Sequence, residues 1–304
     1  MSMDVIELIG KHYTVAPIRW KQSNELLESD CGVKQVRFWT DEGLMNWHHA
    51  WRNHIETDFV LTDRMHRTSD GAWFVPIDDG FLTLHDYHSE PFPKRNNEHI
   101  WGRFIGELLE FGLERSQFQG GKRESSTLTI LDDVTDLRHL GSTLSVVRNS
   151  LPEAKRRLKK VTEVYERLHH IPKPLLEPSL LTTQGKRVHG SLFWQGGNSA
   201  PESGLQGVGR FLADWYSATD TKSIHTLLDQ IHERFNLMGG YDQLIIAELI
   251  APREVQRCVK RLESSELDQS EHILDRFEQE WEMNRKLVED VCTWSEHLAK
   301  KVVR

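Results

Sequence analysis

The stretch Val188–Tyr216, VHGSLFWQGGNSAPESGLQGVGRFLADWY, decides how the chain is interpreted. Its apolar residues and glycine-rich centre predict a strand, a tight loop and a second strand that ends in an acid. Two short motifs bracket it, His189-Gly190 near the beginning and Asp214-Trp215 at the end. Asn198 in the loop and Asp214 after it offer an amide and a carboxylate, which are oxygen ligands of the kind that Mg²⁺ takes in phosphoryl-transfer sites.

The residue that follows His189-Gly190 is Ser191. A phosphoryl-transfer site needs a carboxylate at such a place, because the attacking hydroxyl must be oriented and must lose its proton. A serine hydroxyl carries no negative charge and is not a base at neutral pH. The stretch therefore has the layout of a phosphoryl-transfer site without its general base.

These motifs resemble the catalytic and metal loops of the aminoglycoside phosphotransferase and choline kinase superfamily. Those loops have His-Gly-Asp, an asparagine several residues on, and an apolar strand that ends in Asp-Trp or Asp-Phe. Over nearly its full length the chain is most similar to the bacterial spore-coat branch, the spore-coat protein S and YutH-type proteins. In this resemblance His189 is the catalytic-loop histidine, Ser191 occupies the degenerate base position, and Asn198 and Asp214 are the metal ligands. Asn198 follows His189 by nine residues, farther than in the family pattern.

The resemblance implies an α+β, bilobed, protein-kinase-like fold. A small β-rich lobe with the hinge is expected over residues 1–90, and a larger helical lobe over residues 91–304. The segment Phe81–Tyr87 resembles the strand that enters the hinge, which makes Asp86 and Tyr87 the expected cofactor-contacting residues. A cleft beside the hinge is a typical place for a small-molecule ligand.

The small lobe is predicted from alternating apolar residues and turn residues. The predicted strands are Ile18–Glu28, Gly32–Thr40 and Gly43–Trp47, followed by a hairpin that joins Phe59–Met65 to Thr68–Pro76 through an Asp-Gly turn.

In the superfamily the third strand carries the lysine that grips the nucleotide phosphates. The predicted third strand offers Asn46 and Trp47 in that position, and neither is a cation. Lys34 and Arg37 on the preceding strand are assigned to a solvated edge. Glu56, in a short helix after the third strand, has no lysine partner and is also expected to be solvated.

From Glu98 onward apolar residues recur every three or four positions, which predicts helices. A basic helix follows Pro152 and contains Lys155, Arg156, Arg157, Lys159 and Lys160. This run is consistent with an anion site, but interleaved glutamates favour a solvated face. The tail Ser265–Val302 is predicted to be one long amphipathic helix packed on the larger lobe, with a coiled-coil partner as the alternative. Thr226-Leu227 stands where the family has an Asp-Leu pair.

Composition excludes several classes of function. The net charge of −8 argues against broad attraction to nucleic acid or to an anionic membrane. No apolar run approaches the roughly 18–20 residues needed to span a bilayer. The three cysteines form no CxxC pair, which is typical of a reducing compartment. These features predict a cytoplasmic protein, without membrane insertion, whose partners are other proteins.

The favoured hypothesis is a kinase-fold protein with a degenerate active site that binds ATP and Mg²⁺ weakly or not at all. It would be a catalytically inactive structural or binding component, and the resemblance implies assembly into the spore coat. Two alternatives stay open: an active ATP-dependent phosphotransferase acting on an alcohol group of a small molecule, and a helical adaptor unrelated to kinases.

Overall fold

The computed structural model describes residues 5–55, 59–117, 145–264 and 270–302 of the chain. Glu56, for which the sequence predicts a solvated position, lies outside the described residues.

The first part of the chain is rich in strands. Its elements in order are α1 (Val5–His12), β1 (Pro17–Gln22), β2 (Leu26–Ser29), β3 (Gly32–Trp39), α2 (Glu42–His54), β4 (Val60–Thr62), β5 (Val75–Ile77) and β6 (Gly80–Asp86). Five of these strands form an antiparallel sheet in the order β1-β2-β3-β6-β5. Helix α1 covers one face of this sheet, where Ile9 and Tyr13 pack with Leu27, Val36 and Leu82.

The second part of the chain is mainly helical. Its elements are α3 (Glu98–Glu114), α4 (Ser145–Arg167), β7 (Leu175–Leu176), β8 (Gly185–Val188), β9 (Ser191–Trp194), β10 (Glu202–Ser203), α5 (Gln206–Tyr216), α6 (Thr221–Arg234), α7 (Tyr241–Ile250), α8 (Arg253–Ser264) and α9 (Ser270–Val302). The α+β fold class predicted from the sequence, with a β-rich first part and a helical second part, is confirmed.

The core of the helical part is built on aromatic side chains. Trp101 on α3 contacts Trp194 edge to face, with ring centroids 6.3 Å apart, and also packs against Phe211 and Trp215 of α5. Gly185 permits this arrangement, because a Cβ there would lie 2.1 Å from the Trp101 ring. Large rings held in tilted and edge-to-face contact contribute strongly to core stability.

A small second sheet joins the two parts of the chain. Strand β4 pairs in parallel with β9, Val60 opposite Leu192, and β9 pairs with β8 to give the order β4-β9-β8. The predicted hairpin between Phe59–Met65 and Thr68–Pro76 is therefore wrong. Its Asp-Gly turn exists, with Gly71 at φ +87°, but it closes a short loop and β5 pairs with β6 instead.

Two predicted strands are helices. The segment predicted as strand Gly43–Trp47 belongs to α2, because Asp41 accepts a hydrogen bond from the Leu44 amide and caps the helix. The predicted second strand ending in Asp214 is α5, whose buried apolar residues Val208, Phe211, Leu212 and Trp215 follow the helical period.

The helical predictions are closer. Helix α3 begins at Glu98 as predicted, whereas α4 begins at Ser145 and contains Pro152. The predicted single tail helix is α9, preceded by a separate helix α8. None of the helices in the described part of the chain is long and apolar enough to cross a membrane.

Candidate functional site

Strand β3 is the third strand of the sheet, and it carries two buried cations. The Nζ of Lys34 lies 2.5 Å from the Asp86 carboxylate, and Nη2 of Arg37 lies 2.9 Å from that of Asp63. Each cationic side chain is only 6% exposed. The prediction that both lie on a solvated edge is therefore wrong, because each has a carboxylate partner that compensates for its burial.

Asp63 is shared by two arginines. Arg52 of α2 donates through Nε to the Asp63 carboxylate at 2.9 Å, and both side chains are fully buried. Burial lowers the pKa of Arg37 to about 10, opposed by Asp63, so this arginine stays charged at neutral pH. Glu177, also buried, is the second acid nearby. We call Arg37, Arg52, Asp63 and Glu177 the interlobe cluster.

Hydrogen bonds from the interlobe cluster hold the loop after β9 against the first part of the chain. Arg37 donates to the Gly196 carbonyl, and Arg52 donates to the Gly197 carbonyl at 2.9 Å. In return the Gly196 amide donates to Asp63 at 3.1 Å, and the Gly197 amide donates to Glu177. A Cβ on Gly196 would lie 2.4 Å from the Trp51 ring, so the loop needs glycine to approach this closely.

Two buried histidines beside the cluster are neutral. His48 Nδ1 accepts from the Trp51 indole at 3.1 Å, so its Nε2 carries the proton and donates to the Ser199 carbonyl at 2.8 Å. Burial, reinforced by Arg52, holds the pKa of His48 well below its ordinary value. Burial and Arg37 do the same to the pKa of His85, which bonds to the Asp63 carbonyl.

Glu177 is the group of the cluster that titrates near neutrality. Burial raises its pKa to about 7, against the opposing charge of Arg52. Its carboxyl group accepts a hydrogen bond from the Gly197 amide and another, at 3.4 Å, from the Trp194 indole. The number of charges in the cluster therefore changes within the physiological pH range.

The predicted hinge residues, Asp86 and Tyr87, form hydrogen bonds with other residues of the protein. Hydrogen bonds from His66 and Lys34 hold the pKa of Asp86 well below its ordinary value, despite the opposing effect of burial. The Tyr87 amide donates to the Val33 carbonyl at 3.2 Å. A nucleotide base at this position would have to compete with these contacts.

His189 and Gly190 form the two-residue turn of the β8–β9 hairpin. Both have positive φ, +48° and +88°, and both are exposed. Ser191 is the first residue of β9, where its backbone pairs with Val188. The His189-Gly190 motif is thus a hairpin turn in the structure.

Asn198 and Asp214 have separate surroundings. Asn198 lines a pocket of about 340 Å³ under the β1–β2 turn, together with Asn24, Gln35 and Arg37. Asp214, near the end of α5, accepts from the Thr182 amide at 3.0 Å and pairs with Lys94 at 3.5 Å. Within the ranges that the structure describes, no three His, Cys, Asp or Glu side chains are grouped to hold a metal ion.

Asn46 and Trp47, predicted in the lysine position of a third strand, lie on α2. Asn46 is exposed, whereas Trp47 is buried against Phe111 of α3 with ring centroids 6.1 Å apart. The cations of the true third strand are those of β3. Helix α2 contributes Arg52 to the cluster instead.

Structural comparison identifies the class of fold. An aminoglycoside phosphotransferase from Alicyclobacillus acidocaldarius subsp. acidocaldarius DSM 446 matches at 10% identity with a TM-score of 0.72, covering 98% of each chain. Spectinomycin phosphotransferase, solved with ADP and spectinomycin, matches at 12% identity and a TM-score of 0.59, covering 97% of this chain and 98% of the other. A choline/ethanolamine kinase family protein from Mesorhizobium loti matches at 10% identity and a TM-score of 0.51, covering 92% of this chain and 93% of the other.

The chain therefore has the bilobed fold of kinase-like small-molecule phosphotransferases. Identities this low establish the fold alone. No family profile matches the sequence, and no curated protein matches it by sequence. The alternative of a helical adaptor unrelated to kinases is not supported.

The Ser191 hydroxyl makes no hydrogen bond with the described residues, which leads to a prediction. We expect Ser191→Ala to change the free energy of unfolding by less than about 0.5 kcal/mol, because no buried contact is lost. Ser29→Ala is the matched control. Ser29 donates to the Gly32 carbonyl at 2.6 Å, so this variant should lose about 1 kcal/mol. Urea unfolding measures both, and an equal or larger loss at Ser191 would contradict the prediction.

Proposed function

We propose that this chain is a kinase-fold protein that does not transfer phosphoryl groups and that acts as a binding or structural component. The observation that carries the proposal is the use of both third-strand cations within the protein. Lys34 is paired with Asp86, and Arg37 is paired with Asp63 and the Gly196 carbonyl. A phosphate group would gain Lys34 only by displacing the half-exposed Asp86 carboxylate. It would gain Arg37 only by breaking the buried pair with Asp63, which costs several kcal/mol.

The residues expected to bind a Mg²⁺-nucleotide do not fit such a ligand. Asp214, the acid expected to bind the metal, is already bonded to Thr182 and paired with Lys94. Burial lowers the pKa of Lys94, and Asp214 opposes that effect, as expected for a stable pair. Ser191 supplies no general base. The resemblance to the spore-coat branch supports a place in the spore coat as the finer form of the proposal.

One observation favours the second candidate, an active small-molecule phosphotransferase. Beside the pocket under the β1–β2 turn, Nε of Arg37 is buried without a hydrogen-bond partner among the described residues. Such a donor is available to an acceptor group of a ligand after a small shift. This pocket is therefore where a weakly held nucleotide would be sought.

The test is calorimetry with ATP and with adenosine, each with and without Mg²⁺, joined to an assay of ATP consumption with hydroxylated substrates. We expect ATP to bind no more tightly than micromolar, because Lys34 and Arg37 of the third strand are already paired with carboxylates, and we expect no turnover. Asp214→Asn is the discriminating variant. Sub-micromolar ATP affinity, or ATP consumption that Asp214→Asn abolishes, would contradict the proposal and favour an active phosphotransferase.

A further inference from the structure

Three residues of the basic run of α4, Arg156, Arg157 and Lys160, line a groove. The groove has a volume of about 530 Å³ and lies between α4 and α9, at the end of α7. Its apolar surface includes Ile250 and Val288. This volume falls in the range of roughly 300–1,000 Å³ that small-molecule sites occupy.

Two of the four cations in the groove are neutralised by the protein. Arg157 donates to Glu153 at 2.9 Å and lies 3.8 Å from the centroid of the Trp281 ring. Arg285 pairs with Glu153 at 3.3 Å and with Glu282 at 3.0 Å. These contacts hold the walls of the groove in place, and they neutralise the Glu153 carboxylate.

The other two cations, Arg156 and Lys160, are exposed and have no ion-pair partner among the residues that the structure describes. They stand four residues apart on α4, so they lie on one face of the helix. Like charges at this spacing slightly destabilise a helix. The fold itself therefore gains nothing from the pair.

Lys160 acts electrostatically on a residue of α9. Burial raises the pKa of the Cys292 thiol on α9, Glu296 raises it further, and the charge of Lys160 lowers it. Arg156 and Lys160 line the same groove as Ile250 and Val288, so the unpaired charges and the apolar surface belong to one site.

We propose that this groove binds a small amphiphilic anion, with its phosphate or carboxylate group between Arg156 and Lys160 and its hydrocarbon part on Ile250 and Val288. The net charge of the chain is −8, so the attraction is local to the groove. Glu289, also in the lining, is the carboxylate that opposes the ligand. The groove shares no lining residue with the pocket under the β1–β2 turn.

Octyl phosphate is the probe for calorimetry on the full chain. The variant Arg156→Glu with Lys160→Glu should weaken its binding at least tenfold, because it reverses both unpaired charges. The matched control is Lys155→Glu with Lys159→Glu, which makes the same charge change on the same helix outside the groove lining. The control should bind within twofold of the native protein.

Two further measurements test the two halves of the site. Inorganic phosphate should bind at least tenfold more weakly than octyl phosphate, because it leaves the apolar surface uncovered. Glu289→Gln should tighten octyl phosphate binding roughly two- to threefold, the size expected for one exposed charge interaction. Misfolding cannot produce such a gain. Absence of octyl phosphate binding at millimolar concentration, equal losses in the two double variants, or equal affinities for the two probes would overturn the proposal.

Discussion

Asp63→Asn is expected to lower the free energy of unfolding by about 3–5 kcal/mol, the usual cost of removing one partner from a buried ion pair. Asp63 is the only carboxylate in hydrogen-bonding contact with both Arg37 and Arg52 among the described residues, and its side chain is fully buried. The amide would leave the two guanidinium groups without the carboxylate that pairs with both of them. It would also weaken the bond from the Gly196 amide.

Urea unfolding followed by tryptophan fluorescence measures this loss. Glu28→Gln is the control, because it removes the partner of Arg19 from an ion pair of 2.7 Å in which both side chains are exposed. That variant should lose less than about 1 kcal/mol. Equal losses in the two variants would mean that the interlobe cluster is solvated and does not hold the two parts of the chain together.

The second large effect is a dependence of stability on pH through Glu177. Its pKa is raised by burial from an ordinary value of 4.5 to about 7, so the folded state binds this proton more tightly than the unfolded state does. The stabilisation by the bound proton is complete below about pH 4.5 and is lost as the pH rises to about 7. Its size is on the order of 3 kcal/mol, since each pKa unit corresponds to about 1.4 kcal/mol.

Glu177→Gln isolates this contribution, because glutamine keeps the size and an acceptor for the Gly197 amide but does not titrate. The free energy of unfolding of the native protein minus that of the variant should fall as the pH is raised from 4.5 to 7 and then level off. Other titrating groups are common to both proteins and cancel in the difference. A difference that stays constant over this range would show that folding does not raise the pKa of Glu177.

The sequence predicts the order of the strand-rich and helical parts better than it predicts the site. Periodicity from Glu98 onward correctly gives helices, and Gly32–Thr40 is found as β3 with one residue fewer. The segment Glu42–His54 is one helix where the sequence predicts a strand followed by a short helix, because Asp41 caps α2. The three-residue spacing of the buried residues Met45, His48 and Trp51 carries the helical signal.

The interlobe cluster could not be predicted from local patterns. Its four residues belong to no sequence motif. Their ion pairs and electrostatic interactions join segments that are distant in the chain. The Gly196-Gly197 pair was the one local signal, since adjacent glycines often mark a close approach of the backbone. The Asp-Trp pair predicts a strand end at Asp214, whereas the helical period of α5 decides its position.

The parallel pairing of β4 with β9 bears on the order in which the protein folds. The five-stranded sheet draws its strands from residues 17–86, so the chain can assemble it from neighbours that are close in sequence. Val60 pairs with Leu192, about 130 residues away, and this closure must wait for the distant segment. Until then β4 has a bare edge and Asp63 lacks the Gly196 amide. The junction between the two parts is therefore expected to form late, after each part has its own core.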